Sequence, residues 1–331
     1  MWHIFAKVID NYGDISIAWR LASGLVDYGQ NVTLFIEKKE DIERVLNLQH
    51  NINFNVKSFK EAASEPLKAD NIISVFDAPI PLDYYGNIQQ PTNLFIYEYL
   101  SAESWVKDFH MKSSLTDNKF VNKRYFYPGF NDQTGGLLRE RHYSDQANTV
   151  HILDTKKDSA FQTTFFYYSH TSFKSIKLIK KLKPDFKALI FDELIKFENL
   201  KNEAWIKTFE MMAFEDYDRL LQSSSLNFVR GEDSLTRAIF SGRPFIWQPY
   251  IQDKDHHLVK LDAFLECFYS GIDKNIFCNL KKLHYIWSRG NVDEKVFLKY
   301  LNDFEMIETY HKKKSIYYLS EKSVFENLLF N

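Results

Sequence analysis

Two aspartates lie four residues apart near the start of the chain, directly after an apolar run that predicts a strand. The run is Ile4–Ile9, and a helical pattern over Ile15–Leu25 follows Asp10 and Asp14. Ligands of open α/β sheets bind beyond the carboxyl ends of strands, where each loop enters a helix. Carboxylates there are of the type used in general acid–base catalysis. From these residues alone, a structural interpretation is as well supported as a catalytic one, with Asp14 as a helix-capping acid and Asp10 as a turn residue.

A second segment of this kind follows the short apolar run Asn227–Val229. Arg230 and one glycine lead into Glu232, and a helix is expected to begin with Asp233 or Ser234 as its N-cap. Backbone N–H groups at a helix start, together with an arginine, can bind a diphosphate. Because an acid beside a phosphate is unfavourable, we expect Glu232 to face a cationic group. The alternative is another capped helix, since acids favour first turns in general.

The sequence contains only weak signals for a metal or cofactor site. Asp216 and Asp218 form an acid-x-acid motif, but they open a helical pattern, which favours solvated first-turn charges. His256 and His257 have no third ligand at metal spacing. The turn after the first strand holds only Gly13, whereas a dinucleotide cofactor requires three glycines. We therefore expect neither a metal nor a bound cofactor.

Apolar runs that predict strands alternate with helical patterns along the whole chain. Such alternation indicates parallel sheets with crossover helices, hence an α/β fold. A polar stretch over residues 141–160 marks a boundary, so we expect domains at 1–150 and 151–331 with a cleft between them. The predicted strands are Ile4–Ile9, Val32–Ile36, Ile72–Phe76, Leu94–Tyr97, Thr163–Tyr168, Ala188–Phe191, Asn227–Val229 and Phe245–Trp247; the main helices are Ile15–Leu25, Asp41–Leu48, Ser172–Lys183, Tyr217–Ser223, Ser234–Phe240 and His256–Tyr269.

Composition excludes several classes of protein. Lys and Arg number 42 against 44 Asp and Glu, so the basic excess typical of nucleic-acid binders is missing. No apolar run approaches the roughly 20 residues of a membrane span. Two cysteines exclude a disulfide framework and favour a reducing compartment, so we expect a cytoplasmic protein without nucleic-acid or membrane partners.

Several blocks of the sequence resemble one known family, the elongation factor P arginine rhamnosyltransferases (EarP). The blocks occur in family order between about residue 4 and residue 270. They are Val8–Ile15 with Trp19–Ala22, Tyr97–Trp105, Tyr127–Phe130 with Thr134–Glu140, Asp216–Leu221, Leu226–Ser234, Arg243–Trp247, and Tyr250, Gln252, His257–Leu261, Ala263 and Phe264.

The resemblance implies a GT-B fold of two facing Rossmann-like domains. It also implies an enzyme that transfers L-rhamnose from dTDP-β-L-rhamnose to one arginine of elongation factor P, a post-translational modification of the translation machinery. In the family the transfer inverts the anomeric centre and needs no metal. The amino-terminal domain would face the protein acceptor, and the carboxyl-terminal domain would bind the nucleotide sugar.

The resemblance further implies roles for individual residues. Asp14 matches the catalytic base, with Asp10 and Glu232 holding the acceptor guanidinium, although spacing alone does not distinguish Asp10 from Asp14. One departure is Ser169, where family members usually carry an acid. The positions that match the donor site are Arg230, Asp233, Ser234, Tyr250, Phe166, Tyr168 and Gln252.

Three alternative functions remain compatible with the sequence. The chain could be a GT-B transferase acting on another nucleotide sugar or a small acceptor. It could be a nucleotide-sugar epimerase, since epimerases can share this two-domain architecture. It could also be a binding scaffold without catalysis.

Overall fold

The computed structural model describes residues 1–8, 13–38, 40–49, 52–65, 69–141, 143, 161–191, 203–251 and 255–330. The chain divides into two compact units. Unit 1 comprises Met1–Asp145 together with Glu321–Asn331, and unit 2 comprises Gln146–Ser320. None of the described helices is both long enough and apolar enough to cross a membrane.

In unit 1 the residues that the structure describes form six parallel strands in the order β3-β2-β1-β4-β5-β6. The direction of winding reverses between β1 and β4, and ligand sites of doubly wound sheets lie at such switch points. The elements are β1 Trp2–Ala6, α1 Gly13–Asp27, β2 Val32–Ile36, α2 Glu40–Leu48, β3 Asn55–Ser58, α3 Phe59–Ala62, β4 Asn71–Val75, α4 Leu82–Gly86, β5 Thr92–Tyr97, α5 Val106–Phe109 and β6 Val121–Phe126.

The described part of unit 2 forms five parallel strands in the order β11-β10-β7-β8-β9, with the reversal between β7 and β10. Its elements are β7 Phe161–Phe165, α6 Phe173–Leu182, β8 Phe186–Phe191, β9 Ile206–Phe209, α7 Phe214–Ser223, β10 Leu226–Arg230, α8 Gly231–Ser241, β11 Phe245–Gln248, α9 His256–Phe268, α10 Lys274–Ser288, α11 Glu294–Asn302 and α12 Phe304–Ser320.

The central strands are buried along their length, which explains their apolar sequences. Every residue of β1 and β2 is buried, and so is every residue of β10 except the last. Crossover helices cover both faces of parallel sheets, so their strands become continuous apolar runs rather than alternating ones. The prediction of an α/β fold with parallel sheets is confirmed.

The last helix, α13 (Val324–Phe330), packs within unit 1, although we expected residues 151–331 to form the second domain. The Phe325 ring is fully buried and stacks on Tyr28 at 5.7 Å between centroids. It lies so close to α1 that a Cβ on Gly24 would come within 2.0 Å of it. The Arg139 guanidinium also donates to the Glu326 carboxylate at 3.1 Å. These contacts explain why the chain end belongs to unit 1.

Candidate functional site

Asp14 lies in the first turn of α1, beyond the carboxyl end of β1, and only 9% of it is exposed. This is the unit 1 switch point between β1 and β4. The positive end of the helix dipole favours a carboxylate in a first turn. Asp10, predicted beside it, lies outside the described residues.

A buried ion pair holds α1 in place and thereby fixes Asp14. The Arg20 guanidinium, one and a half turns along α1, donates to the Glu140 carboxylate at 2.9 Å, and 3% of each side chain is exposed. Removing one partner of such a pair leaves an uncompensated buried charge. Arg20 and Glu140 stand in sequence blocks that resemble the family, and their visible role is structural.

The backbone just after β4 is strained. Because β4 and β1 are parallel neighbours, this segment lies at the same carboxyl end of the sheet as the end of β1. Phe76 and Asp77 have left-handed backbone conformations, with φ of 54° and 53°. Each such residue costs about 1–3 kcal/mol, and strain of this kind clusters at functional sites. The Phe76 ring stacks on Tyr99, which follows β5, with 4.1 Å between centroids. Sequence reasoning did not identify this feature, because backbone conformation leaves no residue signature here.

In unit 2, three residues matched to the donor site come together at the switch point between β7 and β10. The Arg230 guanidinium carbon lies 4.3 Å from the Phe166 ring centroid and 4.8 Å from the Tyr168 ring centroid. Its Nη1 donates to the Tyr167 carbonyl at 3.2 Å. A cation over aromatic faces is attracted by their negative quadrupole. The result is a guanidinium in contact with two aromatic rings.

A buried amide fixes the loop that carries Tyr168. The Gln248 side chain, fully buried at the end of β11, accepts from the Tyr168 backbone N–H at 2.9 Å. Its Nε2 donates to the Trp287 carbonyl at 3.1 Å. Tyr250 meets Tyr168 edge to face at 5.6 Å and is 57% exposed, so its ring is accessible. Gln252, matched to the donor site from sequence, lies outside the described residues.

Helix α8 begins at Gly231 with Arg230 as its N-cap, and the expected N-cap at Asp233 or Ser234 is wrong. Gly231 has a φ of +65°, a conformation that glycine adopts without the steric cost of a Cβ. The chain therefore turns at Gly231, and the helix starts earlier than expected. The Trp247 indole N–H donates to the Gly231 carbonyl at 2.8 Å and fixes the turn.

Both acids in the first turn of α8 contact cations. The Asp233 carboxylate lies 3.4 Å from Arg237 of the same helix. Glu232 lies 2.5 Å from the Lys260 ammonium of α9, with 16% and 17% of the two side chains exposed. We expected Glu232 to face a cation, and unit 2 itself supplies one. The sequence assigned no role to Lys260. Glu232 lies on the helix before β11 and Lys260 on the helix after it, and their separation in sequence does not predict a contact.

Tyr217 is a second residue that sequence reasoning did not assign to the site. Its ring packs edge to face on Phe166, with 5.9 Å between centroids. Burial raises the pKa of its phenol and the charge of Asp233 adds to this, while Ser234 and Arg230 act in the opposite direction. Tyr217 therefore stays neutral beside the α8 start.

The acid-x-acid motif lies on α7. Asp216, in the first turn, accepts from Arg219 at 3.0 Å. Among the described residues, no group of three or more His, Cys, Asp or Glu side chains is placed to hold a metal ion. The absence of a metal from the reaction stays a prediction.

A family model described as elongation factor P (EF-P) rhamnosyltransferase EarP matches residues 2–330. Curated relatives named protein-arginine rhamnosyltransferase include one from Pseudomonas putida, 30% identical over 87% of this chain and 86% of that protein. Another, from Pseudomonas aeruginosa, is 28% identical over 87% of each chain.

Solved structures show that the fold is of the GT-B type. A structure described as the basis for EarP-mediated arginine glycosylation of EF-P has a TM-score of 0.62 at 19% identity, covering 99% of this chain and 97% of that chain. Arabidopsis thaliana UGT89C1 with UDP scores 0.57 at 9% identity, with 98% and 97% covered. The Neisseria meningitidis UDP-GlcNAc 2-epimerase bound to UDP-GlcNAc scores 0.53 at 12% identity, with both chains fully covered.

Proposed function

Because the chain belongs to the EarP family of elongation factor P (EF-P) rhamnosyltransferases, we propose that it moves L-rhamnose from dTDP-β-L-rhamnose to an arginine side chain of EF-P. Like its curated relatives, it is a protein-arginine rhamnosyltransferase. The finer parts of the proposal are the dTDP donor, inversion at the anomeric carbon and independence from metal ions.

One observation supports the donor most strongly, namely the arrangement of aromatic rings and cations around the start of α8. Arg230 offers a guanidinium beside backbone N–H groups at a helix N-terminus, which together suit a diphosphate. The exposed Tyr250 ring can stack on a base, an interaction worth about 1–3 kcal/mol. An anion site bordered by an accessible ring is the chemistry that a nucleoside diphosphate requires.

Unit 1 would supply the acid–base chemistry. An arginine guanidinium is a poor nucleophile, because its lone pairs are delocalised and its pKa is above about 12. We assign Asp14 as the carboxylate that orients one guanidinium nitrogen and accepts its proton as the nitrogen–carbon bond forms. Asp10 and Glu232 are proposed to hold the guanidinium.

The bond from the anomeric carbon to the diphosphate oxygen breaks in the same displacement, and dTDP leaves with the electron pair. Negative charge grows on the leaving group in the transition state. Preorganised donors aimed at such charge stabilise it without reorganisation, and Arg230 with the α8 N–H groups could do this in place of a metal. Turnover is therefore expected to survive EDTA. Loss of activity in EDTA, restored by magnesium or manganese, would refute this account.

Mass spectrometry of EF-P after incubation with the enzyme and dTDP-β-L-rhamnose tests the proposal. We expect one deoxyhexose adduct, located on an arginine by fragmentation. A matched control is EF-P with that arginine changed to lysine, because lysine keeps the charge without the planar guanidinium. NMR of the glycopeptide reports whether the anomeric configuration has inverted.

Other outcomes would identify the alternatives. Release of dTDP without modification of EF-P would favour a small acceptor or hydrolysis. A changed sugar nucleotide would indicate an epimerase. Tight EF-P binding without turnover would indicate a scaffold.

A further inference from the structure

Glu232 poses an electrostatic problem, because a carboxylate stands in the first turn of the helix whose N-terminus is suited to a diphosphate. At the proposed donor site the two negative groups would repel. As a general guide, two like unit charges about 6 Å apart repel by the equivalent of roughly a tenfold loss of affinity at an effective dielectric constant of about 40. The site must therefore neutralise this acid or tolerate a substantial loss of affinity.

Lys260 provides the neutralising charge. Its ammonium lies 2.5 Å from Glu232 Oε1, and more than four-fifths of each side chain is shielded from solvent. Ion pairs on an open surface contribute little, whereas shielded pairs are screened less by salt and interact more strongly. The contact joins α9 to the first turn of α8, so it also fixes the direction of the Glu232 carboxylate.

Asp233, the other first-turn acid, has its own cation in Arg237, which is completely buried. Because each carboxylate is paired with a cation, the two acids add no net negative charge to the first turn of α8, whereas Arg230 and the helix N-terminus add positive charge. Without Lys260, the charges of Glu232 and Arg230 would cancel at the same helix start. Lys260 thus makes the net charge at this helix start positive.

We propose that Lys260 is a positioning and charge-neutralising residue that lets Glu232 and the donor diphosphate share the start of α8. This inference rests on the proposed function, since it takes the diphosphate to bind there. A carboxylate has two oxygens, so Glu232 can accept from Lys260 through Oε1 and direct Oε2 towards a guanidinium. Lys260 acts through Glu232 and not by touching the phosphate.

A double-mutant cycle distinguishes this role from direct phosphate contact, with calorimetric titration of dTDP as the measurement. Lys260→Met is expected to weaken dTDP binding about tenfold, the effect of one nearby unit charge. Glu232→Gln should bind dTDP as tightly as the unaltered protein or more tightly, with reduced turnover. The double variant Lys260→Met/Glu232→Gln should regain the affinity of the unaltered protein within about twofold, because no carboxylate is left to repel the phosphate.

Two further variants complete the test. Lys260→Arg keeps a cation beside Glu232 and should retain most of the affinity. Lys281→Met removes the lysine of another ion pair, in which Lys281 of α10 lies 2.7 Å from Asp262 of α9, and should leave dTDP binding unchanged. If Lys260→Met does not fold, Lys260→Gln takes its place in the cycle.

Equal weakening in Lys260→Met and in the double variant would overturn the inference, because it would mean direct contact with the phosphate. Unchanged affinity in Lys260→Met would overturn it as well. Inorganic pyrophosphate serves as a second titrant that reports the anion site without thymidine. A chain that binds pyrophosphate with this pattern but not dTDP would refute the proposed donor and leave the role of Lys260 standing.

Discussion

The two units use the same parallel architecture, yet their switch points carry opposite chemistry. In unit 1 the first strand, β1, leads into α1, which has an acid, Asp14, in its first turn. In unit 2 the first strand, β7, leads into α6, whose first turn holds no acid. The strand beyond the reversal differs too. The strained residues Phe76 and Asp77 follow β4, whereas β10 is followed directly by Gly231, the first residue of α8.

This difference shows how one architecture can carry two kinds of local charge. A helix start attracts anions whichever unit it belongs to, and local side chains decide whether that tendency is used. Arg230 reinforces it at α8, while the charges of Glu232 and Asp233 are offset by Lys260 and Arg237. At α1 the carboxylate of Asp14 occupies the helix start. Under the proposed function, the α1 start of unit 1 therefore binds a cationic group and the α8 start of unit 2 an anionic one.

Replacing Asp14 should give the largest effect, and it should lower the rate of transfer without changing the donor site of unit 2. Asp14→Asn keeps the shape of the side chain but removes the proton acceptor, which typically contributes about 10²–10⁴-fold in rate. We expect rhamnosylation of EF-P to fall by that factor while dTDP affinity, measured by calorimetry, stays within about twofold of the original value.

Asp83→Asn is the matched control, because Asp83 is also a first-turn acid in unit 1, on α4, and has no proposed role. It should leave turnover unchanged. Near-normal turnover in Asp14→Asn would mean that Asp14 only caps the helix. Loss of dTDP binding in this variant would contradict the proposed division of roles between the two units.

The second largest effect concerns stability and tests whether the chain end belongs to unit 1. Phe325→Ala removes a fully buried ring between Gly24 and Tyr28, which should cost about 3–5 kcal/mol. Hydrogen exchange should accelerate in α1 and the unit 1 sheet and stay unchanged in β7–β11. Phe330→Ala, 72% exposed on the same helix, should have little effect. Equal acceleration in both units would contradict this assignment.

Removing Arg230 should weaken the anion site of unit 2. Arg230→Ala deletes the guanidinium over Phe166 and Tyr168, and dTDP affinity should fall about 10- to 100-fold, the usual range for a charge-assisted contact. Arg219→Ala removes an arginine paired with Asp216 on the exposed face of α7 and should not change dTDP affinity. Unchanged binding in Arg230→Ala would place the donor elsewhere.

Much of the fold could be predicted from sequence because the central strands are buried on both faces. β2 occurs at Val32–Ile36 as predicted, and β1 is displaced by only a few residues. The strands that sequence reasoning missed, β3, β6 and β9, all lie at sheet edges. Edge strands expose polar side chains, as in Asn55–Ser58, so they lack the apolar run that signals a buried strand.

Only part of the candidate site could be predicted from the sequence. Asp14 and Arg230 could be singled out because the alternation of strands and helices places them at strand ends. Their partners could not, because the Lys260 contact with Glu232 and the Gln248 contact with Tyr168 join residues far apart in sequence. Tertiary packing alone brings such pairs together.

The smallest effect concerns acid stability, where the two units should behave alike. Burial lowers the pKa of His3 in unit 1 to about 4 and that of His284 in unit 2 to about 3. The unfolded chain, with histidine pKa values near 6.5, therefore binds more protons than the folded one below that pH. Each buried histidine should lower the free energy of unfolding as pH falls from 6.5 towards its folded pKa, by up to about 1.4 kcal/mol per pH unit.

Asparagine variants of these histidines test whether the effect arises in both units. In His3→Asn and His284→Asn the amide oxygen takes the place of Nδ1, which contacts the Tyr84 hydroxyl in unit 1 and accepts from the Trp247 N–H in unit 2, but the amide does not titrate. Urea unfolding at pH 7 and pH 5, combined with hydrogen exchange resolved by unit, should show a smaller loss of stability in the altered unit only. If a variant loses as much stability as the original protein between these pH values, its histidine is not buried in the neutral form, and the acid sensitivity of that unit has another source.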